Sequence, residues 1–237
     1  MNRMNRTTRL IIGAVVVVGV IAVAALAFIW FSGGDGAATA ETVSDAVVPV
    51  TGESTVFDIS AADSEVRFAL DEDLRGTRVT VVGRTQDVDG QIAVDFANPA
   101  NTTVGEITIN VRTLATDNEF RNRAIRGVIL GSSQDQFQFA RFVPTAIEGL
   151  PESVTVGGDT FSFTMTGDLT LRDVTQPVTF DVTVTPVSES RIEGSAKATV
   201  TYGDFGMTIP DAPGVANIED EVELEIDFVA LPMVAGA

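Results

Sequence analysis

The sequence predicts an all-β domain: an antiparallel sheet of about eight strands closed into an extended barrel, with one short helix and a single N-terminal transmembrane helix in front. Three observations carry this. From Ser54 onward apolar and polar residues alternate with period two, as in strands with one buried and one wet face. Turn formers punctuate the runs at Asp89-Gly90, Asn98-Pro99, Gly157-Gly158, Gly203-Asp204 and Pro210 to Gly214, and no segment supplies the crossover helices that a parallel sheet needs. Ahead of them stands one uncharged stretch, Leu10 to Phe31.

That stretch reads LIIGAVVVVGVIAVAALAFIWF. As a helix it is about 33 Å long, against a hydrocarbon core of roughly 30 Å. A cleavable signal peptide competes, since Ala38-Thr39-Ala40 resembles a cleavage site, but its apolar region should span only about 7–15 residues. The uncleaved anchor is the reading adopted. Arg3, Arg6 and Arg9 precede the span and Asp35, Glu41 and Asp45 follow it, which orients residues 1–9 into the cytoplasm and the large domain outward. Trp30 and Phe31 sit at the exit, where aromatic rings favour the interface. Without cysteine there is no acylated lipoprotein anchor. Residues 32–53 are small and polar without periodicity, a flexible tether reaching roughly 25 Å.

Along the domain, residues 54–230, the apolar strand positions are Val66, Phe68 and Leu70; Ile92, Val94 and Phe96; Ile107, Ile109 and Val111; Phe161, Phe163 and Met165; and Val178, Phe180, Val182 and Val184. The clearest case is VELEIDF, where Val222, Leu224, Ile226 and Phe228 alternate with acids. Residues 118–130 break the rhythm with helical spacing, grouping Phe120, Ala124, Ile125, Val128 and Ile129 opposite Arg121, Asn122, Arg123 and Arg126, with Gly127 weakening the helix. Residues 231–237 form a tail. The runs 160–172, 175–186 and 189–201 are long for strands, approaching about 40 Å. An eight-stranded barrel either fills itself with side chains or holds one ligand, so a long one suits a long apolar molecule. Of 14 phenylalanines, the 12 beyond the anchor either line such a lumen or fill a solid core.

Composition narrows the chemistry. There is no histidine and no cysteine, and Lys197 is the single lysine, which removes imidazole and thiolate mechanisms, disulfides and thiolate metal sites. A formal charge of −18 repels nucleic acid. Ser195 and Lys197 share a strand face, but nothing nearby forms a nucleophile elbow, and they read as a surface pair. Asp87 to Gly90 fails as a calcium loop, because Thr85 and Phe96 fall where acids are required, and reads as a hairpin turn. No carboxylate spacing singles out a catalytic pair, and no enzyme activity is expected.

The segment Gly167 to Phe180, GDLTLRDVTQPVTF, closely resembles the hallmark of the YceI-like family, in which a G-D-L-T-[IL]-x-G-V-T strand end turns into a P-V-x-F strand. Phe57-Asp58-Ile59 with Ser64 to Phe68, Asp89 to Asp95, Leu114 to Arg121, Gly203 to Met207 and Glu219 to Phe228 follow in the family's order. The sequence departs from the pattern at Ala62-Asp63-Ser64, where a His-Ser pair is common, and at Asn122, where aspartate is. It departs again at Ile129-Leu130, where two phenylalanines are usual, and at Gln138-Phe139, where Tyr-Pro is.

The resemblance implies a lipocalin-like extended barrel holding a polyisoprenoid or isoprenoid quinone, in an exported protein of the cell envelope with no established catalytic residues. No cofactor beyond such a bound lipid is expected, and the partners are an apolar lipid and, through the anchor, the cell membrane. By alternation and family position the lining comprises Phe57, Phe68, Phe96, Ile109, Phe139, Phe161, Phe163, Phe180 and Phe228. Arg121, the residue of the basic cluster at a family position, either meets a polar head at the mouth or pairs with nearby acids on a solvated helix face. The competing function is a structural or partner-binding envelope domain with a filled barrel.

Overall fold

The computed structural model describes residues 54–233. They form one antiparallel sheet: β1 (Thr55–Ile59), β2 (Glu65–Leu74), β3 (Thr77–Thr85), β4 (Val88–Asp89), β5 (Gln91–Val94), β6 (Thr103–Val104), β7 (Ile107–Asn110), β8 (Phe139–Glu148), β9 (Phe161–Leu171), β10 (Val174–Ser188), β11 (Arg191–Thr201), β12 (Val215–Ala216) and β13 (Glu221–Pro232). The sheet is curled, and pairing runs β7-β8-β9-β10-β11-β13, where β13 divides, its first part pairing β2 and its last pairing β1. Hydrogen bonding thus gives thirteen strands rather than about eight. The long alternating runs are single strands as expected, but the chain from Thr77 to Val94 is cut into β3, β4 and β5, each with a different neighbour.

Asp89-Gly90 is therefore not a hairpin turn. It is a bend at which the chain leaves β7 and joins β1, with the Gly90 carbonyl accepting from Ile59 N at 2.9 Å. A Cβ at Gly90 would come within 3.1 Å of Ile59 and 3.2 Å of Ile107, so the close approach favours glycine. The expected closed barrel is realised as a curled half-barrel whose edges meet along a thin seam: two β4–β7 pairs, Val88 with Ile109 and Asp89 with Thr108, and one bridge from Arg84 to Ala115.

Turns fix the register of the long hairpins. Between β2 and β3, Arg75 and Gly76 have φ of 53° and 83°, the positive pair that a two-residue turn between right-twisted strands requires. Between β9 and β10, Arg172 takes φ 59°, its guanidinium lying 5.5 Å from the Phe137 ring centre and donating to the Ile129 carbonyl.

The short helix begins where expected. The Asn118 side chain caps α1 (Glu119–Ala124), accepting from Phe120 N and Arg121 N, and a π turn over Ile125–Ile129 continues it. The buried face differs from the expected one. Phe120 and Val128 are exposed, whereas Asn122 is completely buried beside Ile125. Its carboxamide is satisfied: Oδ1 accepts from Thr116 N at 2.7 Å and Thr116 Oγ1 at 2.8 Å, and Nδ2 donates to Glu119 at 3.1 Å. A polar group so paired is buried at little cost. The proposed membrane span lies outside the described residues, among which no helix is long and apolar enough to cross a membrane.

Candidate functional site

Three apolar cavities lie in a row inside the curl. The first, at the end carrying the β10–β11 hairpin, has about 880 Å³ of space, its opening included, between Phe96, Phe161, Phe163, Val184, Ile192 and Phe228. The central one, about 580 Å³ with its openings included, is bounded by Phe142, Met165, Phe180 and Leu224. The third, about 1040 Å³ with its opening at the helix end, is bounded by Phe68, Leu70, Ile125, Tyr202, Met207 and Leu224. Adjacent cavities share walls: Ile107, Met165, Ala196 and Ile226 join the first to the centre, and Val66, Ile109 and Leu224 join the centre to the helix end. On β11 the row runs from Ile192 past Ala196 to Val200, about 26 Å at the rise of an extended chain.

The lumen exists because several rings lie along the wall. Phe68 is paired across β2–β3 with Gly83, and Phe228 across β11–β13 with Gly194. A Cβ at Gly83 would stand 2.5 Å from Phe68 Cζ, one at Gly194 2.5 Å from Phe228 Cζ, and one at Gly167 2.6 Å from Phe142 Cζ. Each ring therefore rests on the backbone of a glycine, and its bulk is absorbed in the wall. Phe142 and Phe180, edge to face with centroids 5.0 Å apart, flank the narrow central part.

Polar groups gather at the helix end. Glu72 continues the inward series of Val66, Phe68 and Leu70, and its side chain is only 7% exposed. Arg121 donates to it at 2.9 Å and to exposed Asp117 at 2.7 Å, and both Arg121 and Glu72 border the cavity. Tyr202 also borders it; its hydroxyl donates to Asp220 at 2.9 Å, which raises the phenol pKa. At the other end Asp95 accepts from Ala97 N, Asn98 N and Asn101 Nδ2, and the Asn101 bond foremost, then Asn98, holds its carboxyl below the usual range. Lys197 is ion-paired to Glu225 at 2.8 Å, which raises its pKa, the opposite of what a lysine base requires. Among the described residues no cluster of acidic side chains fits a metal ion.

The expected lining residues divide as follows. Phe96, Phe161, Phe163 and Phe228 border the first cavity, Phe180 and Ile109 the centre, and Phe68, Ile109 and Arg121 the helix end. Phe57 and Phe139 border none of them. Phe57 is wholly buried, edge-on to Phe96 at 6.1 Å. Phe139 lies on the outer face of β8, with the Arg141 guanidinium 6.0 Å from its ring centre, because Ala140 and Phe142 take the inward positions. Phe142, Met165, Glu72 and Tyr202 were missed as lining residues. Alternation running back from Phe142 through Ala140 marks the first, and Glu72 is the acid that breaks an otherwise apolar inward series.

A curled antiparallel sheet around an elongated apolar lumen, with polar groups at its ends, defines a class of β-proteins that enclose an apolar interior. Residues 57–230 match the YceI-like domain, and the chain belongs to that family. It is 30% identical over 152 residues to a UPF0312 protein of Pseudomonas fluorescens strain SBW25, spanning 60% of this chain and 71% of that protein. It is 31% identical over 143 residues to a UPF0312 protein of Pseudomonas aeruginosa, spanning 58% and 69%. Among solved structures its fold resembles a polyisoprenoid binding domain from Saccharophagus degradans implicated in plant cell wall breakdown, with TM-score 0.59, 14% identity, and 75% and 99% of the two chains covered. It also resembles BcnA of Burkholderia cenocepacia, with TM-score 0.56, 22% identity, and 72% and 98% covered.

Proposed function

We propose that this chain holds one long apolar lipid, a polyisoprenoid or isoprenoid quinone, along the lumen, with its polar end at Arg121, Glu72 and Tyr202. The observation that carries the reading is the row of apolar cavities kept open by rings resting on glycines. Each buried methylene stabilises such a complex by about 0.8 kcal/mol, so a chain running past Ile192, Ala196 and Val200 binds with few polar contacts. The fold shared with a polyisoprenoid binding domain supports the same ligand class. Arg121 is already neutralised by Glu72 and Asp117, which favours an uncharged head such as a quinone over a phosphate. In this reading residues 10–31 anchor the protein in the cell membrane with the amino terminus cytoplasmic, and residues 32–53 keep the domain at the outer face of that bilayer.

The test is extraction of the full chain from its native membranes followed by lipid mass spectrometry. A stoichiometric long-chain isoprenoid is expected. Recovery of none, with side chains filling the interior in an experimental structure, would favour a structural envelope domain. Protease added to cells with a permeable outer layer should remove the domain, and complete protection would overturn the orientation.

A further inference from the structure

Helix α1 and its π turn present two large apolar side chains that the lumen does not use. Phe120 is 77% exposed and Val128 60%, the most exposed large hydrophobics among the described residues. They stand four positions either side of Ala124, on one face. The Arg123 guanidinium lies 4.9 Å from the Phe120 ring centre and has no carboxylate partner among the described residues. Arg121 is paired with Glu72 and Asp117 and Arg126 with Glu119, so Arg123 carries the positive charge of this face, in a chain whose net charge is −18. On its other side the same helix directs Arg121 and Ile125 to the helix-end cavity.

We propose that this face is a docking surface for a phospholipid bilayer. Phe120 and Val128 enter the boundary between headgroups and acyl chains, and Arg123 meets a lipid phosphate. Charge supports the orientation, because the acidic remainder of the surface is repelled by anionic lipid while the unpaired Arg123 beside Phe120 is attracted. The contact would hold the helix end of the lumen against the membrane whether or not a lipid occupies it, so it goes beyond the binding reading.

The chain contains no cysteine, so Val128→Cys gives a unique labelling site, and Glu189→Cys, exposed in the turn after β10, gives one at the opposite end. Each full-length variant is labelled with an environment-sensitive fluorophore and reconstituted into vesicles of phosphatidylcholine and phosphatidylglycerol, with and without a headgroup-nitroxide lipid. Quenching several-fold stronger at 128 than at 189 is expected, with the difference abolished by Phe120→Asp combined with Arg123→Glu. Equal quenching at the two positions overturns the proposal. So does quenching at 128 that the double variant leaves unchanged, or label self-quenching that grows with protein density in place of lipid quenching, which identifies a contact between copies. Lipid extracted from the same samples separates the two readings, since loss of cargo with the quenching pattern intact would sink the binding reading and leave docking standing.

Discussion

Gly83→Ala tests how the lumen is kept open. The new methyl would stand 2.5 Å from Phe68 Cζ and 3.0 Å from Cδ1, and closer still to Cε1, with no backbone atom among its nearest neighbours. Ordinary carbon contacts lie near 3.5–4.0 Å, so the ring must move by at least about 1 Å, toward the helix-end cavity. Overpacking costs roughly 1–3 kcal/mol. The loss of glycine's chain entropy returns about 0.4–1 kcal/mol. The expected net loss is about 1–2 kcal/mol, or about 2–4 °C in Tm for each kcal/mol in a domain of this size. Urea unfolding of Gly83→Ala, Phe68→Ala and the double variant measures it. In the Phe68→Ala background the same change should be neutral or mildly stabilising, giving a coupling of about 1–3 kcal/mol. Lipid content, read by mass spectrometry, should fall in the single Gly83→Ala variant. An equal cost in both backgrounds would refute the reasoning, because the ring would then not be what the methyl meets.

Gly76→Ala meets no atom within 4 Å but must hold φ 83°, so a loss of about 1–2 kcal/mol with unchanged lipid content is expected in the same unfolding assay. Asp95 has a folded pKa below its unfolded value, so its stabilisation is complete above the ordinary carboxylate range and is lost as pH falls through the lower folded value. Asp95→Asn should flatten this part of the acid limb of a stability profile, and an unchanged limb would remove Asp95 from the account. Arg121→Leu leaves Glu72 unpaired at an apolar wall, and a cost of about 2–3 kcal/mol is expected, below that of a fully buried pair because Arg121 is partly exposed. Arg121→Leu with Glu72→Leu should recover most of that loss, as judged by thermal unfolding.

Much of the sheet is legible in the residues themselves. VELEIDF states its own face, and the segments around Phe161, Phe180 and Ile192 are long strands because nothing within them breaks the alternation. What local sequence does not hold is register. Phe68 meets Gly83, and Phe228 meets Gly194, only through strand pairing, so a wall of rings and a plug of rings read the same in one dimension. At Phe137 to Phe142 two alternating series collide, one through Phe137 and Phe139 and one through Ala140 and Phe142. The short 3-10 turn at Asp135–Phe137 ends before β8 starts, and pairing of Ile109 with Ala140 decides for the second. On the helix, hydrophobicity nominated Phe120 and Val128 for burial, yet Asn122 takes the inner position because Thr116 and Glu119 satisfy its amide. Glu72 likewise resembled any strand acid until Arg121 stood opposite it.

A sheet that wraps three cavities beside its packed clusters gives this domain an unusual response to pressure. Compression favours whichever state has the smaller volume, and unfolding eliminates internal space, so the unfolding volume change scales with the room inside. With the lumen empty, the domain should therefore yield to pressure well before a cavity-free β-domain of equal thermal stability does. A guest filling the lumen should raise its pressure midpoint by more than its affinity alone accounts for, making hydrostatic pressure a direct gauge of occupancy.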